Sequence, residues 1–160
     1  ILKSAFKKHK VIKMYYAFVY GSVKNDRGSI NRSIARSKSD FRKWSAMRGT
    51  RGEGREAVTE YVVEKRFKNE KGETFTFLRV FPKTGRTHQI RVHLKAVNHP
   101  IVSDPLYAGN MPQALGFSRP ALHASTLTIF FNEVSEVKVE APLPKDFKDA
   151  LKSIPSLAGE

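Results

Sequence analysis

The 160-residue chain contains no cysteine. That excludes a disulfide framework and a cysteine-ligated zinc site, and it suits a reducing, cytoplasmic setting. No apolar stretch is long enough to cross a bilayer as a helix. The opening "ILKSAFKKHKVIK" has neither a signal-peptide hydrophobic region nor an initiator methionine, so the chain is expected to begin inside a longer gene product. Acidic side chains are scarce: 15 Asp and Glu stand against 29 Lys and Arg, a net charge of +14 and a pI near 10.1. A field of that sign favours a polyanion, and a nucleic acid is expected as partner rather than a membrane. There is no internal repeat, no phosphate-binding loop and no dinucleotide fingerprint. No Ser-His-Asp set or carboxylate pair can be argued from spacing.

The residues present suffice for one domain, since 40% are hydrophobic and the length suits a single core. "VIKMYYAFVY" (11–20) reads as a strand. Ile12, Met14, Tyr16, Phe18 and Tyr20 form its apolar face; Val11, Lys13, Tyr15, Ala17 and Val19 form a mixed face suited to lining something polar. "AVTEYVVEKRF" (57–67) and "TFTFLRVF" (74–81) are two more strands, and the Gly-containing "KNEKGE" between them predicts a hairpin. "ALHASTLTIFF" and "EVSEVKVEA" are strand-like. "PKDFKDALKSI" closes as a short helix with Phe147 and Leu151 one turn apart. Hairpins with few helices predict an α+β fold, a bent, mixed but mainly antiparallel sheet.

Residues 22–55 differ in character. They hold ten Lys or Arg against Asp26, Asp40 and Glu53, half of the chain's excess charge. Charge this concentrated repels itself without a counter-charge, so a phosphate-binding arm is expected, with Arg36, Arg42, Lys43 and Arg55 as candidate RNA contacts. "RGTRGEGRE" reads as a mobile Gly-rich stretch, and short strands are expected around Ile30, Ile34 and Phe41. Trp44 suits packing better than stacking on a base.

The densest chemistry lies in "FPKTGRTHQIRVHL" (81–94). Ile90, Leu94 and Val97 recur at helical spacing and predict a helix over 87–97. If its first turn reaches back far enough, Thr84, His88, Arg91 and Lys95 share one polar face. The stretch is built to hold negative charge: a phosphate, a ligand carboxylate, or an Asp elsewhere in the protein. His88 and His93 are five apart, which is not the spacing of a metal pair on a helix, and no metal or cofactor is expected. A metal-dependent nuclease site using His88, His93, His99 and Asp104 is a remote alternative, because clustered carboxylates are lacking.

"TGRTHQIRVHLKAVNHPIVSDPLYAG", "RPALHASTLTIFF" and "APLPKDF", with "VIKMYYAFVYG" and "GREAVTEYVVEKRF" upstream, closely resemble the RluA-type family of pseudouridine synthases. The resemblance runs in order along nearly the whole chain. It implies that family's catalytic-domain fold, and an enzyme that isomerises uridine in structured RNA without cofactor, acting on a base flipped out of its stack. Ribosomal RNA is favoured over transfer RNA. Position by position, Arg91 matches the Arg that pairs with the catalytic Asp, and Tyr15 the Tyr that stacks on the uracil. Arg86, Thr87, His88 and Gln89 complete the motif and are expected to shape the cleft wall, hold the helix start and bind RNA, with Lys13 beside them. Arg119 and His123 match an R-x-x-L-H-A segment of undefined role. The family's nucleophilic Asp lies in an H-R-L-D motif that residues 1–160 do not contain, and Asp104 matches a position that looks structural. The chain is thus expected to be the C-terminal part of one catalytic domain, lacking its nucleophile and any S4-like domain, with Arg91's natural partner supplied from upstream. A non-catalytic RNA-binding module on the same scaffold is the alternative.

Overall fold

A computed structural model describes residues 11–46, 50–131 and 135–154. Arg48, one of the arm cations, lies outside the described residues, as does part of the run at 133–141.

Strand β1 (Val11–Tyr20) has the predicted bounds and lies inside a six-stranded sheet. With β2 (Arg27–Asn31), β6 (Val58–Lys68), β7 (Thr74–Pro82), β8 (Leu122–Phe130) and β9 (Glu136–Glu140), the order is β2-β6-β7-β1-β8-β9. Every pairing among the described strands is antiparallel, which is why short connections suffice. The predicted β6–β7 hairpin is present. The Asn69 side chain accepts from the backbone N–H groups of Lys71 and Glu73, and Gly72 supplies the positive φ the turn requires.

Residues directly opposite each other share a sheet face. Phe18 therefore meets Phe77, while Tyr20 and Phe67 both meet Phe75. Phe117 and Phe147 close over Phe18 at ring distances of 5.5 Å each. Phe147 comes from helix α2 (Lys145–Lys152), which Arg119 holds by pairing with Asp146 and by lying over the Phe147 ring. His123 also packs on Phe147, so the R-x-x-L-H-A segment seats a helix here. The opposite face presents Ala17, Val19, Leu78 and Val80, all fully buried, and helix α1 (Gln89–Ala96) adds Ile90 and Leu94 to that core. Each large side chain buried this way contributes about 1.5–3 kcal/mol. The apolar cover ends near the start of β1, where Ile12 is 53% exposed.

The arm is more regular than expected. Strands β3 (Ile34–Ser37), β4 (Trp44–Ser45) and β5 (Thr50–Arg55) form a second sheet in the order β4-β3-β5. The Gly-rich stretch expected to be mobile is largely strand β5, because its backbone pairs with β3 whatever its side chains. Phe41, expected on a strand, stands on a turn. The Asp40 carboxylate accepts from the N–H of Arg42, and the Lys43 N–H bonds to the Asp40 carbonyl, so the chain reverses there. Trp44 packs: its ring carries the Arg36 guanidinium and lies beside the small cluster of Ile34, Ala57, Val92 and Tyr107.

Candidate active site

The helix begins later than its apolar spacing suggests. His88 adopts a left-handed conformation (φ 55°), so α1 starts at Gln89 and Thr84 remains in the loop after β7, off the helical face. The Thr84 hydroxyl accepts from the Val58 N–H and donates to Gln89 Oε1, which also accepts from the Arg86 N–H. The Gln89 amide nitrogen donates to the Val58 carbonyl and to Thr59 Oγ1. All four hydrogen-bonding positions of that amide are then used. Gln89 is 4% exposed and braces the helix start; the RNA contact expected of it has no free group to make it.

The brace continues inward. With Gln89 donating to it, Thr59 Oγ1 gives its own proton to His93 Nδ1, and His93 Nε2–H donates to the Arg32 carbonyl. His93 is thus a neutral core imidazole, and burial holds its pKa below the ordinary histidine value. With both ring nitrogens engaged it has no lone pair for a metal. Among the described residues no three metal-ligating side chains converge.

The loop and helix start face β1 across a cleft of about 200 Å³. Lys13 and Tyr15 line one wall, and Gly85, Arg86, His88 and Arg91 the other. A bulge in the β1–β8 pairing between Met14 and Tyr15 marks the point where β1 reaches the cleft. Lys13 Nζ donates to the Thr84 carbonyl, tying the walls together, and burial lowers its pKa. The mixed face of β1 therefore does line a polar site.

Arg91 is oriented by a fork. Its Nε and Nη2 donate to the two oxygens of Asp104 at 2.7 Å each, and its guanidinium lies 4.9 Å from the Tyr107 ring centre. The Asp104 side chain is fully buried, and its Oδ1 also accepts from the N–H groups of Leu106 and Tyr107. These bonds hold the Arg91 pKa above its ordinary value. Where an upstream carboxylate was expected as its partner, Arg91 also has one within the chain: Asp104 occupies two of the guanidinium nitrogens. A largely buried guanidinium needs a carboxylate, and the fold brings it Asp104. Nη1 makes no hydrogen bond among the described residues.

Tyr107 was not singled out in the sequence. Its hydroxyl accepts from the Trp44 N–H and shares a 2.9 Å hydrogen bond with His88 Nδ1. Burial first, then the nearby Arg91, lowers the His88 pKa and keeps the ring neutral. The only hint was a tyrosine three residues beyond an aspartate in "DPLY".

The other candidates are spread along a rim. Arg86 donates through Nε to the Glu56 carbonyl and borders the cleft; Thr87 is exposed beside it. Arg36 donates to the Phe41 carbonyl. Arg42 and Lys43 both pair with Asp40, and the Arg42 hydrogen bonds pull that carboxyl down to about 2. Arg55 is exposed at the end of β5.

The profile of the RNA pseudouridylate synthase family matches residues 1–96. The chain is 38% identical over 160 residues to the ribosomal large subunit pseudouridine synthase D of Blochmanniella floridana, covering 91% of this chain and 47% of the relative. It is 37% identical over 130 residues to the dual-specificity RNA pseudouridine synthase RluA of Vibrio cholerae, covering 81% and 49%. Among solved structures, human RNA pseudouridylate synthase domain containing 1 superposes with a TM-score of 0.77 at 29% identity, over 89% of this chain and 58% of that one. The chain spans about half the length of the curated relatives it matches.

Proposed function

The chain belongs to the RluA-type family of RNA pseudouridine synthases, and from that membership we propose that its parent protein isomerises uridine to pseudouridine in structured RNA, with the Tyr15–Arg91 cleft receiving the target base. Ribosomal RNA is the favoured substrate and transfer RNA the next, in a reducing, cytoplasmic compartment. The reaction breaks the N1–C1′ bond, turns the uracil, forms a C5–C1′ bond, loses the C5 proton and takes up a proton at N1. Its atoms balance without redox chemistry or a cofactor. The cleft is smaller than the roughly 300–1,000 Å³ of pockets for drug-sized ligands, so it suits a single base whose ribose and phosphates stay outside. Extracting that base costs a few kcal/mol, which stacking on Tyr15 offsets in part.

The observation that carries the reading is that Tyr15 and Arg91 line one cleft while Arg91 keeps Nη1 uncommitted among the described residues. In this reading Asp104 sets the plane of the guanidinium, and Nη1 pins the nucleophilic Asp supplied from ahead of residue 1. Preorganised charge of this kind is the larger part of such catalysis. The same Asp104 pairing would equally serve a non-catalytic RNA-binding module, since it satisfies the fork without an outside group.

Tritium release from RNA labelled at uridine C5 tests both. The full-length protein is expected to release tritium, and Arg91→Lys to slow it about 10²–10³-fold. The purified 160-residue chain is expected to release none. Release by that chain alone would overturn the outside nucleophile, an unchanged rate in Arg91→Lys would overturn the site, and no release by the full-length protein would favour the module.

A further inference from the structure

Phe41 is the most exposed of the large hydrophobic side chains among the described residues, at 80%. The turn under it is fixed from three sides: Arg36 Nη1 donates to its carbonyl at 2.6 Å, the Lys43 N–H bonds to the Asp40 carbonyl, and Asp40 accepts from the backbone and side chain of Arg42. The turn is also tied to the cleft. Trp44, three residues on, gives its N–H to the Tyr107 hydroxyl, which bonds to His88 in the cleft wall. Three residues span at most about 11 Å, so the Phe41 backbone lies within that reach of Trp44 and its bond to Tyr107. Three cations, Arg36, Arg42 and Lys43, are bonded into this turn.

We propose that Phe41 is a stacking platform for an unpaired base of the RNA, a neighbour of the uridine that enters the cleft. The inference rests on the reading of RNA as substrate. A solvent-facing aromatic on a hydrogen-bonded turn, flanked by Arg36, Arg42 and Lys43 and tied through Trp44 and Tyr107 to the cleft wall, suits single-stranded nucleic acid: phosphates meet the cations and a base covers the ring. The charge around the ring favours RNA over an apolar protein surface. Phe41 is a positioning residue; it does not reach the reacting atoms.

The probe is an RNA stem–loop with 2-aminopurine moved in turn through each loop position, a base whose fluorescence falls when it stacks on an aromatic ring. With the full-length protein, one or more positions are expected to be quenched. Phe41→Ala is expected to abolish that quenching and weaken binding about five- to a hundredfold, the span of one base–aromatic stack. Phe41→Tyr should retain both, and Phe41→Leu should behave as the alanine variant. Because a stack releases no counterions, log K against log salt should shift in parallel, without a change of slope. In tritium release, Phe41→Ala should raise KM and spare kcat. Unchanged binding in Phe41→Ala, or full retention in Phe41→Leu, would overturn the proposal while leaving tritium release to judge the function. A wild-type protein that binds no RNA would overturn both.

Discussion

Phe18 and Phe41 are the same residue in two opposite circumstances, and they represent two regions of the molecule. Phe18 is fully buried at the centre of the six-stranded sheet, within 4.7–6.1 Å of four other rings. Phe41 stands in solvent on the three-stranded arm, held by its backbone alone. Removal from water stabilises the first region. Strand pairing, a small cluster under Trp44 and Tyr107, and a few turn hydrogen bonds order the second. The large sheet thus carries the folding free energy, and the arm is free to spend its surface on charge. The cleft belongs to the large sheet and helix α1, and Tyr107 ties the arm to it by bonding both Trp44 and His88.

The comparison is broken most severely at Phe18. Phe18→Ala should lower unfolding free energy by about 3–5 kcal/mol in a urea melt, whereas Phe41→Ala should leave the midpoint where it is. A loss below about 1 kcal/mol at Phe18 would mean that the aromatic layer is not the core it looks like.

A middle-sized effect comes from the seam. His93 is buried neutral with its pKa lowered, so below the unfolded value of about 6.5 the unfolded chain takes up a proton that the folded chain refuses. Stability is complete above that pH and declines as pH falls towards the lower folded pKa, by at most about 1.4 kcal/mol per pH unit for this group. His88, lowered in the same direction, adds to the slope. Melts from pH 7.5 to 5 should therefore be flatter in His93→Gln than in the wild type; identical slopes would contradict the neutral core imidazole.

The smallest expected effect sharpens the arm. Arg55→Gln, at an exposed position, should leave melting unchanged and reduce the salt dependence of RNA binding by about one charge. An unchanged slope would remove Arg55 from the interface.

Much of this was legible beforehand where one periodicity dominates. Strand β1 ran from Val11 to Tyr20 as its alternation required, and the β6–β7 hairpin followed from apolar runs around a Gly turn. The α+β class followed from the same runs. Local patterns misled where a single backbone or side-chain bond overrides them. His88 turned left-handed and shortened the helix, so Thr84 left the face it was placed on. Phe41 followed the Asp40 turn instead of a strand, and a Gly-rich segment became β5 because β3 was beside it. In the site, Tyr15, Lys13, His88 and Arg91 do share a cleft. Gln89 holds the helix start, as expected of the motif, but is too fully bonded to touch RNA, and Tyr107 had no pattern to announce it.

The amino-acid order alone determined the strands, the hairpin, the charge and the motif residues, since these depend on alternation, turn chemistry and composition within a few neighbours. Only the folded chain decided that Asp104, thirteen residues away, grips Arg91, and that Tyr107 joins the arm to the cleft. Those choices are made by which buried charge or hydroxyl finds a partner once water has gone, and that is settled by distance in space.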